Sequence, residues 1–181
     1  MSCVYLAAAA DSAITNKEAN LPAYVKGNRI SQDVREEANR LATPELRLAY
    51  LSSVIASNAV GTNEIENYRK SSAIRLVGVI KSTNSIAILV SNIDFVDAKY
   101  PEMPALYPLE VIGEPAVPYL LDALKDPSAS HEKVERVLEM LRYVKRAKYN
   151  PDQWDKFIEE EKKVLPPELR SRIDRKVWVD D

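Results

Sequence analysis

The sequence predicts an all-α fold, an α-solenoid of about three to four antiparallel helical hairpins preceded by an irregular N-terminal arm. Three observations predict it. Ile86, Leu89, Val90 and Ile93 follow the spacing i, i+3, i+4, i+7, and Val117, Leu120, Leu121 and Leu124 repeat that spacing thirty-one positions later. One residue every 3.6 positions gathers each quartet on one helical face, and a fixed interval between quartets marks stacked copies of one unit. The 181 residues include only four glycines, against eleven prolines. That punctuation suits helix starts and connections and disfavours turn-rich β folds.

Residues 1–30 carry Pro22 and Gly27 and sustain no period, so they read as the arm. Ser31 caps a first helix with Val34, Ala38, Leu41 and Ala42 on one face. Thr43-Pro44-Glu45 is cap, first-turn proline and first-turn acid, and opens a second helix through Leu48, Leu51, Val54 and Ile55. Asn63 with Glu66 three later is a capping box for a long helix through Ile65, Tyr68, Leu76, Val77 and Ile80. The stretch Ile74–Val96 is rich in β-branched residues and competes as a β-hairpin. Strict alternation fails in both of its halves, and the second half aligns without a gap on the Leu- and Ala-rich PAVPYLLDAL, so helix is the reading taken. Residues 94–108, with Pro101, Pro104 and Pro108, form an irregular insertion. Ser130 caps a helix with Val134, Val137, Leu138 and Leu141. Asn150-Pro151-Asp152-Gln153 starts another, with Trp154, Phe157, Ile158, Val164 and Leu165. Pro166-Pro167 ends it, and the amphipathic segment Glu168–Trp178 closes a single helical domain over residues 31–178.

Composition narrows the function classes. Hydrophobic residues make up 46% and charged residues 29%, the balance of a globular protein rather than a disordered one. With 25 Lys and Arg against 27 Asp and Glu, the net charge is −2 and the pI about 5.6. A nucleic-acid binder shows a basic excess, so a nucleic-acid partner is not expected. No run reaches the length of a membrane span. Cys3 is the one cysteine and His131 the one histidine, which excludes an intramolecular disulfide and leaves too few soft ligands for a zinc site. The apolar run within residues 2–10, ending in small residues, resembles the end of a secretory leader, although no base precedes it. Two localisations therefore stay open, cytoplasmic or exported to a compartment such as the periplasm.

The segment Leu109–Asp126, LEVIGEPAVPYLLDALKD, resembles the HEAT-repeat family, especially the short variety of the phycobilisome lyases. In that family the first helix of a unit ends near an Ile-Gly pair, here Ile112-Gly113. A Glu-Pro-Ala-Val-Pro stretch, here Glu114–Pro118, then opens the second. Prolines are tolerated there because the first N–H groups of a helix lack internal partners, and glycine lets the chain reverse. The preceding unit, Ala73–Ile93, is a degenerate copy with Gly78 inside its first helix and Ser82 and Asn84-Ser85 at its turn. The resemblance implies an armadillo-like α-solenoid whose usual work is non-catalytic protein–protein contact. On the family's usual geometry the partner lies along the second helices, at Asn84, Ser85, Ser91, Asn92, Asp122 and Lys125. It also implies two alternatives on the same scaffold, a DNA-binding enzyme of the glycosylase type and a chromophore-lyase subunit.

Catalytic and metal chemistry find little support. His131 follows a turn and is placed as an exposed first-turn residue, without a nucleophile and orienting acid in view. Asp94, Asp97 and Glu102 lack calcium-loop spacing and read as solvated loop acids. Neither a GxGxxG nor a GxxxxGK[ST] motif occurs. No catalytic residue, cofactor or metal is therefore expected. Trp154 reads as core. Trp178 reads as packing on the last hairpin or as a partner anchor. Arg142, Lys145, Arg146 and Lys148 form a one-sided basic group suited to phosphates.

Overall fold

The computed structural model describes residues 23–57, 64–80, 82–97 and 103–146, together with residues 156, 157, 159, 160, 162, 163, 167 and 170. Among them there is no strand, and the predicted all-α fold is what they form. The helices are α1 (Ala23–Arg40), α2 (Pro44–Ser57), α3 (Glu64–Ile80), α4 (Thr83–Ser91), α5 (Leu106–Ile112), α6 (Val117–Leu124) and α7 (His131–Arg146). The described residues between 156 and 170 are also helical. The signals at Asn63, Asn150–Trp154 and residues 171–181, and the leader-like residues 2–10, lie outside the described residues.

Helix α1 starts eight residues before the expected cap. It runs through Gly27 because that position faces the ring of Tyr68 on α3, where an added Cβ would lie 2.7 Å from a ring carbon. Ser31 does not cap; its hydroxyl lies 2.6 Å from that of Ser72 on α3. The pairs Gly27–Tyr68 and Ser31–Ser72 advance together, so α1 and α3 run parallel. The α1–α2 corner follows the sequence signal: Leu46 N–H donates to Thr43 Oγ1 at 3.3 Å, and Arg47 Nε donates to the Leu41 carbonyl at 3.0 Å. Tyr50 on α2 donates its hydroxyl to Glu37 on α1.

The ambiguous stretch is the end of α3 followed by α4. Ser82 caps α4 in a reciprocal box, with its Oγ accepting from Ser85 N–H at 3.1 Å and Ser85 Oγ accepting from Ser82 N–H at 2.8 Å. Helix α5 begins at Leu106, inside the expected insertion, and takes Pro108 into its first turn, where the lost N–H had no intrahelical partner. Gly113, at φ 70° and ψ −136°, ends it in a conformation that side chains resist. A 3-10 turn, Glu114–Ala116, leads into α6. Ser130 Oγ accepts from Lys133 N–H at 3.1 Å and caps α7 as expected.

Both quartets are in the core: Ile86, Leu89, Val90, Ile93, Val117, Leu120 and Leu124 are buried and Leu121 is half-buried. Their helices, α4 and α6, pack on each other. Helix α3 is central, touching α1, α2, α4 and α5, while α7 packs on α5 and α6. No helix among the described residues is long and apolar enough to cross a membrane.

Candidate functional site

Helix α5 has seven residues, whereas α3 has seventeen and α7 sixteen. At 1.5 Å per residue it is about 10 Å long beside neighbours of about 25 Å, and it touches both. A short rod between two long ones leaves a groove. Its volume is about 730 Å³, with α5 and the preceding Met103-Pro104 as floor and α3 and α7 as walls. The α3 wall is Arg75, Gly78 and Val79; the α7 wall is Glu139, Met140 and Tyr143; the floor presents Tyr107, Glu110 and Val111.

The floor sits close to α3 because of one glycine. A Cβ at Gly78 would lie 2.3 Å from Cβ and 2.8 Å from Cγ of Pro108. Inward, Leu109 is fully buried and Leu106 and Ile112 pack against the core. Outward, Val79 is 74% exposed, Tyr107 73%, Val111 50% and Tyr143 50%. Scattered apolar side chains are ordinary on a protein surface, but several around one depression mark a contact site. Charge is sorted across the groove, with Arg75 on one wall and Glu110 and Glu139 on the floor and the other wall. Glu139 is held by Arg136 at 2.8 Å.

The residues expected to bind a partner are not gathered in this groove. Asn84 and Ser91 are exposed on α4, and Ser91 Oγ donates back to the Ala87 carbonyl at 2.8 Å. Ser85 is fully buried in the α4 cap and presents nothing to solvent. Asn92 is half-buried, its amide donating to the Ile88 carbonyl at 2.9 Å. Asp122 and Lys125 are exposed and pair at 2.8 Å.

The other candidates are dispersed. His131 Nε2 lies 3.0 Å from Glu135 one turn along α7, with half of the imidazole exposed. Asp94 is half-buried and Asp97 buried, while Glu102 falls outside the described residues. Among the described residues no three His, Cys, Asp or Glu side chains are grouped so as to hold a metal ion. Arg142 is half-buried on α7; the side chains of Lys145, Arg146 and Lys148, and Cys3, Trp154 and Trp178, lie outside the described residues. Lys70 rests with its ammonium 4.6 Å from the centre of the Phe95 ring. Burial lowers its proton affinity and the Asp94 charge opposes that shift, an arrangement that packs the loop after α4 onto α3.

Sequence reasoning missed the groove because Tyr107 fell in the stretch read as an irregular insertion, and Val111 in a first helix that was given no binding role. The signal was present. LYPLEVI is apolar on both sides of a short helix, the pattern of a helix covered on both sides. Fold and site together define, among the described residues, an all-helical body with an apolar groove on one face. No family model, curated protein or solved structure matches the chain.

Proposed function

We propose that this chain is a non-catalytic docking protein, a short HEAT-like array of antiparallel hairpins that binds a segment of a partner protein in the groove over α5. The observation that carries the proposal is the set of four large apolar side chains, Val79, Tyr107, Val111 and Tyr143, left in water around one depression. An amphipathic helix laid in such a groove buries an apolar stripe on both sides of the contact, a recurring mode of peptide recognition. The aromatic pair Tyr107 and Tyr143 supplies the anchors that dominate interface energies.

The repeat reading is supported by the order of contacts. The first helices α1, α3, α5 and α7 touch in succession, α4 touches α6, and α2, α4 and α6 each touch the first helix that follows. That is the connectivity of stacked hairpins. The partner surface then falls on the first helices rather than on the second.

Selection from a library of displayed helical peptides against the folded protein tests the proposal. Selected ligands lose at least tenfold in affinity with Val111→Glu or Tyr107→Ala, both at exposed positions that leave the core intact. They keep their affinity with Asp122→Ala and Lys125→Ala, on the polar surface of the second helices. Ligands indifferent to the first pair and sensitive to the second would move the site to α6, and a selection without saturable ligands would remove the docking role.

A further inference from the structure

We infer that the partner segment taken by the groove is a basic amphipathic helix, with a Lys or Arg on one flank of its apolar stripe set against Glu110. The inference rests on the docking proposal and deepens it, because it fixes the charge of the partner and the flank on which that charge stands.

The charged side chains of the groove lining are Arg75, Glu110 and Glu139. They are not equivalent. Glu139, half-buried on the α7 wall, is held by Arg136 at 2.8 Å, so its charge is balanced within its own helix. Glu110 is exposed and has neither an ion pair nor a side-chain hydrogen bond among the described residues. It stands three positions after Tyr107 and one before Val111, so the outward face of α5 sets a carboxylate among the apolar side chains that a partner covers. Pro108 is the position of α5 packed on α3. At 3.6 residues per turn Glu110 lies about 200° round the helix from it, on the side of the floor toward α7. Its own helix disfavours it as well. Glu110 falls in the last turn of α5, which holds no basic residue, and the carbonyl end of a helix repels an anion.

The charge of the partner decides what covering Glu110 does. A purely apolar segment would take the carboxylate out of water with nothing to balance it, which is strongly unfavourable. An acidic flank would add like-charge repulsion. A Lys or Arg turns the same burial into a charge-assisted hydrogen bond and also meets the carbonyl end of α5. Such a pair adds little net affinity over an apolar contact, so its main effect is to reject the wrong partners. Arg75, exposed on the opposite wall, sets the other flank, where a base would face a base. The occupant is therefore basic on the α7 side of its stripe and neutral or acidic on the α3 side. A second copy of this chain fits less well, since a depression laid on a depression leaves the floor uncovered.

The test selects displayed helical peptides on the full-length chain, from a library that fixes one apolar stripe of Leu and Phe and varies Lys, Gln and Glu independently on its two flanks. Selection on wild type enriches Lys over Glu at least fivefold on one flank only. Selection on Glu110→Gln loses that bias, and selection on Glu110→Lys reverses it. Both variants melt no lower than wild type, because they replace an exposed carboxylate in the last turn of a helix. A Lys bias that survives both variants would overturn the inference, as would binding with no charge bias, or an acidic bias on both flanks. A chain that takes no peptide and sediments as a dimer would give the groove to a second copy instead. The docking proposal is read separately. Peptides that bind without charge bias, and still lose at least tenfold with Tyr107→Ala, leave docking in place and remove only the basic partner, whereas no saturable binding removes both.

Discussion

Replacing Gly78 by alanine sets two effects of known size against each other. In an ordinary helix interior the change stabilises by about 1 kcal/mol, because alanine has the better helix propensity. Here the new methyl would lie 2.3 Å from Pro108 Cβ, 2.8 Å from Cγ and 3.4 Å from Cα. Carbon atoms pack at about 3.5–4.0 Å, so α5 has to move away from α3 by about 1 Å. A proline ring has no rotamer into which it can retreat. Overpacking of this kind costs about 1–3 kcal/mol, and the upper end applies because the obstacle is fixed to the backbone. The net expectation is a loss of about 1–2 kcal/mol. For a chain of this size that lowers Tm by about 2–8 °C in a calorimetric or circular dichroism melt. Gly27→Ala is the internal comparison: its obstacle, at 2.7 Å, is the edge of the Tyr68 ring, which can pivot at the end of its side chain, so the drop is smaller. A Gly78→Ala protein that melts at or above wild type would refute the reasoning, since propensity would then have won and α5 could not sit where it is described.

Two further outcomes follow from the core and from the α1–α2 contact. Leu120 is completely buried on α6, which packs on α4 and α7, and Leu120→Ala costs about 2–5 kcal/mol, while Leu120→Asp abolishes the cooperative melt and Lys133→Ala, half-buried at the start of α7, shifts it little. Tyr50 has its ionisation pushed well above the usual phenol range by burial first, and then by its bond to Glu37 and that residue's charge, with Arg69 opposing. A raised folded-state value means that the native protein holds the proton longer than the unfolded chain does. The stabilisation is therefore full below the unfolded pKa of about 10 and falls as pH rises beyond it. Denaturant titrations at pH 9 and 11 should show a smaller alkaline loss for Tyr50→Phe than for wild type, and equal losses would remove this role.

What the sequence disclosed, and what it hid, divide along a physical line. The two quartets were legible because burial of a stripe every 3.6 residues is written directly in the residue order, and the caps at Thr43 and Ser130 because they satisfy backbone groups a few positions away. The start of α1 was hidden. Gly27 reads as a breaker, and only the ring of Tyr68, forty-one positions on, turns it into a point of close approach. Gly78 was hidden for the same reason, its partner being Pro108. Glycine has two opposite uses, freedom at a turn as at Gly113 and absence of bulk at a contact, and local sequence does not distinguish them. Ser85 shows the converse error: a polar residue on a second helix counted as surface, whereas its hydroxyl closes a cap and is wholly buried.

The groove is a consequence of that same glycine. Had position 78 carried a side chain, α5 would stand farther from α3, and its outward residues Tyr107 and Val111 would rise to the level of the walls. With glycine there, α5 sinks, and Val79 and Tyr143 are left as rims above a floor of apolar side chains. Stability alone does not ask for this arrangement. Exposed positions on a short helix tolerate Lys, Glu or Gln with better helix propensity than Tyr or Val, and a half-exposed Val111 forgoes part of the about 1.5–3 kcal/mol that full burial of such a side chain brings. A helix that keeps Leu109 inward, and Tyr107 and Val111 outward, is built for two contacts. One is the core of its own domain. The other is the one that the docking proposal assigns to a partner segment laid over α5.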